Sequence, residues 1–286
     1  MSDLYLRADS LPTQLKYPRT PHLEGSRLQA GDEGHGQTPY RQLVGRHIVV
    51  EEKFDGGNAG ISFSPAGELL LQSRGHYLSG GGRERQFNLF KQWAVAHEAP
   101  LLAALDDRYI CFGEWMHKKH AMFYDALPHY FLEFDIWDRQ QGCFLATPQR
   151  AAVLNGAAVL PVKVLYSGPA PKRLDALWQL IGPACGRSAN WRQAFELAVT
   201  RQGLDLSRAW QQTDKSAHAE GLYIKVEDDG QVLERYKLVR QDFVQAILDA
   251  DQHHASQPFI ANQLAEGVDL FAPALSHDWE SEHANC

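Results

Sequence analysis

The residue best suited to do chemistry is Lys53, which follows Val49, Val50 and two glutamates and stands two residues before Asp55 and a pair of glycines. The run 47–53 predicts a strand that breaks at those glycines and leaves the lysine at its end. A free lysine has a pKa of about 10.4 and is a poor nucleophile at neutral pH. It becomes a good one when it is desolvated or lies beside other cations or a metal. A Lys-x-Asp-Gly sequence therefore indicates covalent lysyl–nucleotide chemistry, provided that the rest of the chain agrees.

Further motifs follow Lys53 in order along the chain. They are Ser73-Arg74-Gly75 and the ranges 112–115, 131–136, 220–225 and 235–240, which read Phe-Gly-Glu-Trp, Phe-Leu-Glu-Phe-Asp-Ile, Glu-Gly-Leu-Tyr-Ile-Lys and Arg-Tyr-Lys-Leu-Val-Arg. The ordered set, over about residues 15–245, resembles the nucleotidyltransferase motifs of the superfamily that contains ATP-dependent RNA ligases, DNA ligases and mRNA capping enzymes. It is most similar to the RNA ligases, and residues 17–22 look like those of bacterial members.

The resemblance implies an enzyme that uses ATP, with Mg²⁺ or Mn²⁺, to join RNA ends. Lys53 would attack the α-phosphorus of ATP, release pyrophosphate and hold AMP as lysyl-AMP. AMP would then pass to an RNA 5′-phosphate, and a 3′-hydroxyl would displace it. Such transfers depend on positioning and on neutralisation of charge.

The resemblance also implies roles for residues along the motifs. Arg74 would hold a phosphate, Glu114 would bind the ribose hydroxyls and Phe134 would stack on adenine. The expected nucleotide-binding residues are Glu52, Lys53, Arg74, Glu114, Phe134, Glu220, Arg235, Lys237 and Arg240, and the expected metal ligands are Glu220 and Asp55. Without the resemblance, Phe134 fits a core strand, Arg74 a surface position and Glu114 an exposed strand carboxylate.

The last motif departs from the family pattern, which usually contains Lys-x-Lys. Val239 stands where a second lysine would follow Lys237, so Arg235 or Arg240 would have to substitute for it.

A hairpin model gives the expected faces of this last motif. If residues 229–230 form a two-residue turn, residues whose numbers add up to 459 face each other. Because side chains alternate between faces, Glu220, Arg235 and Lys237 then share one face and Lys225 points to the other. A bulge would reverse this assignment.

Basic residues elsewhere are candidates for contact with the RNA backbone: Lys118, Lys119, Arg83 and Arg85. The alternative is that they are solvated residues of basic loops. The nearby His117, His120 and His129 lack the cysteines or the helical His-x-x-x-His spacing of a zinc site, which favours surface or RNA-contacting histidines.

The charge distribution is uneven. The chain of 286 residues has a net charge of −7, but after Arg240 it contains eight acids and no lysine or arginine. Residues 1–240 therefore carry 28 basic residues against 35 − 8 = 27 acids, a balance of +1. A near-neutral body can still hold a local basic groove for phosphates, so the net charge does not exclude nucleic acid.

Composition indicates a globular cytoplasmic protein. Hydrophobic residues make up 44% and charged residues 22% of the chain. We see no apolar run near the ~18 residues that span a bilayer, and no signal-peptide pattern at the N-terminus. The four cysteines are far apart, which favours reduced thiols.

The pattern of elements, with the resemblance, predicts an α+β nucleotidyltransferase fold, an ATP-grasp-like ligase fold of two antiparallel sheets with flanking helices. Strands are expected at 47–53, 59–64, 69–73, 108–116, 129–137, 220–226 and 232–239, and helices at 86–98 and from Thr147. We expect a nucleotidyltransferase domain at 1–240, with a helical insertion at about 172–212, and a short acidic helical appendage at 241–286, with helices at 241–249 and 256–264.

The expected function is ATP-dependent RNA ligation in RNA repair, on RNA with 5′-phosphate and 3′-hydroxyl ends. A separate end-healing kinase or phosphatase is a possible partner, and no membrane is expected. Two alternatives stay open: a polynucleotide ligase that acts on nicked DNA, and a nucleotide- or RNA-binding module without catalysis.

Overall fold

The structure is a computed structural model that describes residues 13–28, 36–243, 258–275 and 279. Its strands are β1 (His47–Lys53), β2 (Gly57–Phe63), β3 (Leu69–Ser73), β4 (Tyr109–Trp115), β5 (Phe131–Asp138), β6 (Cys143–Leu145), β7 (Leu160–Pro161), β8 (Val164–Pro169), β9 (Gly221–Asp228) and β10 (Gln231–Val239). Its α-helices are α1 (Asn88–Ala96), α2 (Glu98–Leu105), α3 (Thr147–Val153), α4 (Asp175–Trp178), α5 (Trp191–Arg201) and α6 (Leu206–Gln211). Short 3₁₀ helices lie at Tyr40–Gln42 and Gly82–Phe87.

The strands form one hydrogen-bonded path in the order β3-β2-β4-β5-β6-β10-β9-β1-β8, and β7 pairs in parallel with β5. All neighbours along the path are antiparallel. The path contains two four-stranded groups that only the three-residue strand β6 connects. The prediction of a mixed fold with antiparallel sheets is therefore confirmed in outline, but the two predicted sheets are joined into one.

Strand β1 shows how side-chain alternation creates an apolar face and a polar face. Ile48 and Val50 are buried in a cluster with Leu222 and Ile224 of β9. Burial of each such side chain contributes about 1.5–3 kcal/mol, which fixes the register of β1 against β9. The opposite face of β1 presents Glu51 and, at its end, Lys53.

Several predicted elements are confirmed. Strands β1 and β3 have the predicted bounds, and helices α4, α5 and α6 lie within the predicted insertion 172–212. Helix α3 begins at Thr147 as predicted, but the threonine hydroxyl does not cap it and instead donates to Glu227 Oε1 at 2.7 Å. Helix α2 and strands β6, β7 and β8 were not predicted.

The predicted C-terminal helix over 256–264 is wrong for the residues that the structure describes. Residues 258–264 contain no helix, and Ala261 and Leu264 form single bridges to Lys118 and Leu127. The predicted helix at 241–249 lies mostly in 244–257, outside the described residues. The domain division at residue 240 stays a prediction, although Trp279 is buried in the main core cluster.

The hairpin of β9 and β10 contains a bulge at Leu233. The first two pairs after the turn have the predicted register, but beyond the bulge Arg235 pairs with Lys225. The predicted faces are therefore wrong for Lys225, which lies on the same face as Arg235 and Lys237. The bulged residue Leu233 is an exposed apolar residue. The alternation of apolar and polar residues along β10 therefore does not reveal the one-residue shift in register.

Gly221, the first residue of β9, allows two backbones to approach closely. A Cβ atom there would lie 2.1 Å from the carbonyl oxygen of Leu238 and 2.9 Å from Cα of Val239. We expect Gly221→Ala to lower the free energy of unfolding by about 1–3 kcal/mol, because the backbone of β10 must shift. Urea unfolding measures this. Gly182→Ala is the control, since no atom lies within 4 Å of its Cβ position, and equal stability of the two variants would contradict the expectation.

Candidate active site

The candidate active site is centred on an ion pair at the end of β1. Lys53 Nζ donates to Glu220 Oε2 at 2.7 Å, and the two side chains are 22% and 2% exposed. Burial lowers the pKa of Lys53, but Glu220 and Glu114 outweigh burial, so that this pKa lies above its ordinary value. The lysine is therefore held protonated beside its carboxylate.

Two buried carboxyl groups next to Lys53 have raised pKa values. Burial raises the pKa of Glu220 to about 7, against the opposing effect of Lys53. Burial likewise raises the pKa of Glu114 to about 7, although Lys53 and Arg74 lower it. Titratable groups that are shifted by burial and by a specific charge partner are typical of functional sites.

The turn after Lys53 is fixed by hydrogen bonds from three sides. Gly56 N donates to Glu114 Oε1 at 3.0 Å, and Asp55 N donates to the Tyr124 hydroxyl at 3.2 Å. Asp55 Oδ2 accepts from Met122 N at 2.7 Å. A Cβ atom on Gly56 would lie 2.8 Å from the carbonyl oxygen of Trp115, which explains a glycine at this position.

The structure brings most of the predicted site residues to this place. Arg74 is exposed at the end of β3 and close enough to Glu114 to lower its pKa. Lys237 lies across from Tyr223 on β10 and lowers the pKa of Glu220. Five predicted residues thus interact electrostatically with Lys53 or with one of its two carboxyl neighbours: Asp55, Glu114, Glu220, Arg74 and Lys237.

Phe134, on β5, is half-buried. Its ring centroid is 5.1 Å from that of Tyr17 and 6.1 Å from that of Tyr223. This packing fits both readings of Phe134, as a stacking surface and as a member of an aromatic cluster.

Glu52 is not placed with the other predicted nucleotide-binding residues. Its side chain lies on the face of β1 opposite to Lys53, where both carboxylate oxygens accept from Cys185 N at 3.1 Å. Burial raises the pKa of Glu52 to about 7. Neighbouring residues of a strand point to opposite faces, so Glu52 cannot share the face of Lys53, and its prediction as a nucleotide-binding residue is corrected.

Neither arginine proposed to replace the second lysine is directed to the ion pair of Lys53. Arg240 is buried and binds Asp214 at 3.0 Å and Asp242 at 2.7 Å. Arg235 binds Asp135 at 3.2 Å and lies 3.8 Å from the ring centroid of Phe144. The expectation that Arg240 contacts the nucleotide is therefore not supported, since its guanidinium is bound to carboxylates.

The predicted RNA-contacting residues have different environments. Lys119 is buried, and its ammonium donates to the carbonyl oxygens of His120 at 2.8 Å and Gln212 at 2.9 Å. Burial lowers the pKa of Lys119 to about 8. Its ammonium is bound inside the protein and not presented at the surface, and the predicted contact with RNA stays a prediction. Arg85 is exposed and Lys118 half-buried, whereas the side chain of Arg83 lies outside the described part of the chain.

A buried ionic network joins α3 with β1, β5 and β9, and the sequence did not predict it. Arg150 binds Glu51 at 2.9 Å and Glu133 at 3.1 Å, and Lys225 binds Glu51 at 2.9 Å and Asp135 at 3.2 Å. All five side chains are at most 2% exposed. Alternation from Lys53 could have placed Glu51 on the polar face, but nothing in the sequence near Arg150 indicates that it is buried.

The network also anchors the backbone of the predicted stacking residue. Arg150 Nη1 donates to the carbonyl oxygen of Phe134 at 2.6 Å, and Lys225 Nζ donates to the same oxygen. Tyr17 donates to Asp135 from the N-terminal segment. Burial raises the pKa of Asp135, but Lys225 and Arg235 outweigh burial and leave this pKa below its ordinary value. Asp135 is therefore an anion held by cations.

The donor types at the site suit a hard cation. Carboxylate oxygens are the ligands that Mg²⁺ and Mn²⁺ prefer, and Mg²⁺ usually binds one or two carboxylates together with phosphates and water. Asp55 and Glu220 match that set. Among the described residues, no group of three or more His, Cys, Asp or Glu side chains is arranged to hold a metal without further ligands.

A family model described as RNA ligase matches residues 46–239. The match takes in more than half of the chain, which therefore belongs to the RNA ligase family. No curated protein matches the chain. Within the described ranges, no helix combines the length and apolar character needed to cross a membrane.

Solved structures of the Naegleria gruberi RNA ligase are similar to this chain. An alanine variant with ATP and Mn is 15% identical with a TM-score of 0.46, over 70% of this chain and 51% of that chain. A second alanine variant with ATP and Mn is 14% identical with a TM-score of 0.48, over 81% and 57%. The ligase with PPi is 16% identical with a TM-score of 0.47, over 79% and 62%. The chain thus spans between half and two-thirds of the length of these ligase chains.

Proposed function

We propose that the chain is an ATP-dependent RNA ligase that joins a 3′-hydroxyl to a 5′-phosphate through lysyl-AMP. The observation that carries this proposal is the pairing of Lys53 Nζ with Glu220 Oε2 at 2.7 Å, with Glu114 beside the pair. Membership of the RNA ligase family supports RNA as the substrate. A lysine becomes nucleophilic beside a cation or a metal, and the carboxylates next to Lys53 are groups that would bind such a metal.

Before it attacks, Lys53 must lose to solvent water the proton that its ion pair with Glu220 retains, and its side chain is 22% exposed. A Mg²⁺ or Mn²⁺ ion held by Glu220 and Asp55 would supply positive charge beside the phosphates and weaken that ion pair, since it engages the same carboxylate. The neutral amine then attacks the α-phosphorus of ATP, the bond from that phosphorus to pyrophosphate breaks, and a phosphoramidate to AMP forms.

Other residues of the site position the nucleotide. Besides Lys53, Arg74 lowers the pKa of Glu114 and Lys237 lowers that of Glu220, and both cations suit contacts with phosphates. Glu114 suits the ribose hydroxyls as a charged acceptor, and the half-buried ring of Phe134 suits stacking on adenine. Arg235 is held by Asp135 and does not replace the second lysine of the family motif in this proposal.

The RNA strands would lie on the surface that carries Arg85 and Lys118. A role in RNA repair, with a kinase or phosphatase that prepares the ends, fits an enzyme that needs a 5′-phosphate and a 3′-hydroxyl. Cytoplasmic location is part of the same proposal.

The test is incubation with α-labelled ATP and Mg²⁺ or Mn²⁺, followed by denaturing electrophoresis. We expect label to stay on the protein with ATP and not with GTP. Label with GTP would indicate a capping enzyme, since capping enzymes use GTP. Nicked duplexes with RNA or DNA on the 3′-hydroxyl side then separate RNA ligase from DNA ligase. Absence of label with both nucleotides would overturn the proposal and favour a binding module without catalysis.

A further inference from the structure

The C-terminal segment 258–265 runs along the loop between β4 and β5, and one of its residues connects that loop on both sides. Asn262 is 1% exposed. Its Oδ1 accepts from Tyr124 N at 3.0 Å, and its Nδ2 donates to the carbonyl oxygen of Met116 at 2.6 Å. Its backbone N donates to the carbonyl oxygen of His117 at 2.9 Å. Its own carbonyl oxygen accepts from the Tyr130 hydroxyl at 2.7 Å.

The loop that Asn262 fixes is the one that holds the turn after Lys53. The Tyr124 hydroxyl accepts from Asp55 N at 3.2 Å, and Met122 N donates to Asp55 Oδ2 at 2.7 Å. The Tyr124 ring centroid also lies 5.8 Å from that of Phe54, the residue next to the lysine. A continuous path of hydrogen bonds therefore runs from Asn262 through Tyr124 to Asp55, two residues from the nucleophile.

A second C-terminal residue reaches the same turn independently. Trp279 is buried, with its ring centroid 5.8 Å from that of Phe54, and its Nε1 donates to the carbonyl oxygen of Pro161 at 2.7 Å. Phe54 thus packs between Tyr124 and Trp279. The C-terminal segment contacts the Lys53 turn directly through Trp279 and indirectly through Asn262.

We propose that Asn262 is a positioning residue for the adenylation step, and that it acts by fixing the Lys53–Asp55 turn through Tyr124. This inference rests on the proposed function. Its physical basis is that attack on phosphorus needs the amine in line with the leaving pyrophosphate, and a displacement of about 1 Å from a distant substitution can cost about 100-fold in rate. Asn262 touches neither the lysine nor the site of the nucleotide.

Because Asn262 acts on the position of Lys53, its substitution should slow one partial reaction and leave another unchanged. Sealing of RNA that already carries AMP on its 5′ end does not use the lysine as a nucleophile, whereas formation of lysyl-AMP does. We expect Asn262→Ala to slow lysyl-AMP formation at saturating ATP by about 10–100-fold. Sealing of pre-adenylylated RNA and the affinity for ATP should stay close to the wild-type values.

The experiment measures single-turnover label incorporation, ATP affinity and sealing of pre-adenylylated RNA, all below the melting temperature of each variant. Tyr124→Phe is the second variant, because it removes the acceptor of Asp55 N and keeps the ring against Phe54. Tyr124→Phe is expected to show the same result, slow lysyl-AMP formation with normal sealing of pre-adenylylated RNA. If Asn262→Ala does not fold, the result for Tyr124→Phe is the test. Gln263→Ala is the control, since this neighbour is exposed, and it should match wild type in both reactions.

The outcomes separate this inference from the proposed function. Adenylation at the wild-type rate in Tyr124→Phe and in folded Asn262→Ala would overturn the positioning role, and so would equal losses in adenylation and sealing, which indicate general destabilisation. No label on the wild-type protein would overturn the proposed function and, with it, this inference.

Discussion

Lys53→Arg is expected to take up no label from α-labelled ATP and to keep its fold. Arginine retains the positive charge that Glu220 binds in the wild-type pair at 2.7 Å. A guanidinium has a pKa above about 12 and does not become a neutral nucleophile in proteins. We expect the rate of adduct formation to fall by about 10³-fold or more, because a covalent nucleophile has no substitute in its own step. Gel detection of the labelled protein measures the loss.

The same variant should still seal RNA that carries AMP on its 5′ end, since that step does not need the amine. Lys53→Ala tests whether the charge itself matters, because it leaves buried Glu220 without its cation. Lys215→Ala, a change at an exposed lysine, is the control and should be labelled like wild type. Label on Lys53→Arg would mean that another residue is the nucleophile.

The parts of the site that the sequence predicted are those that a local pattern determines. The strand that ends at Lys53 follows from its apolar residues and the glycines after it, and its pairing places Lys53 opposite Gly221. The motif Glu-Gly then has a steric reason, because only glycine allows the approach of Leu238 O to that position.

What the sequence did not predict depends on contacts between distant segments or on a single inserted residue. The bulge at Leu233 shifts the register by one position, and this moves Lys225 to the polar face. Arg240 follows a predicted strand, but its partner Asp214 lies 26 positions earlier in the chain. Asn262 meets Tyr124 across 138 positions, and neither neighbourhood carries a pattern that indicates the pair.

Substitution of the buried Arg150 is expected to lower the stability of the fold strongly. Its guanidinium binds Glu51 at 2.9 Å and Glu133 at 3.1 Å, and all three side chains are at most 2% exposed. We expect Arg150→Met to lower the free energy of unfolding by roughly 3–5 kcal/mol, because it leaves buried Glu133 without its bound cation and Glu51 with one cation instead of two. The corresponding fall in Tm is roughly 6–20 °C. Arg173→Met, which breaks a pair at 2.7 Å between exposed side chains, is the control and should change little.

The pH dependence of this loss distinguishes charge burial from lost packing. Burial raises the pKa of Glu133 to about 7 even though Arg150 lowers it, so removal of Arg150 raises this pKa further. A carboxyl group whose pKa is higher in the folded than in the unfolded state binds more protons when folded, and its contribution to stability falls as the pH rises between the two values. The difference between wild type and Arg150→Met should therefore be larger at about pH 8 than at about pH 5.5.

Urea unfolding at the two pH values measures that difference directly. An equal loss at both would mean that packing of the arginine stem, and not its charge, accounts for the effect. Because Arg150 Nη1 also donates to the carbonyl oxygen of Phe134 at 2.6 Å, loss of the cation should move the strand that carries Phe134. We therefore expect folded Arg150→Met to bind ATP more weakly at either pH, whereas Arg173→Met should bind it like wild type.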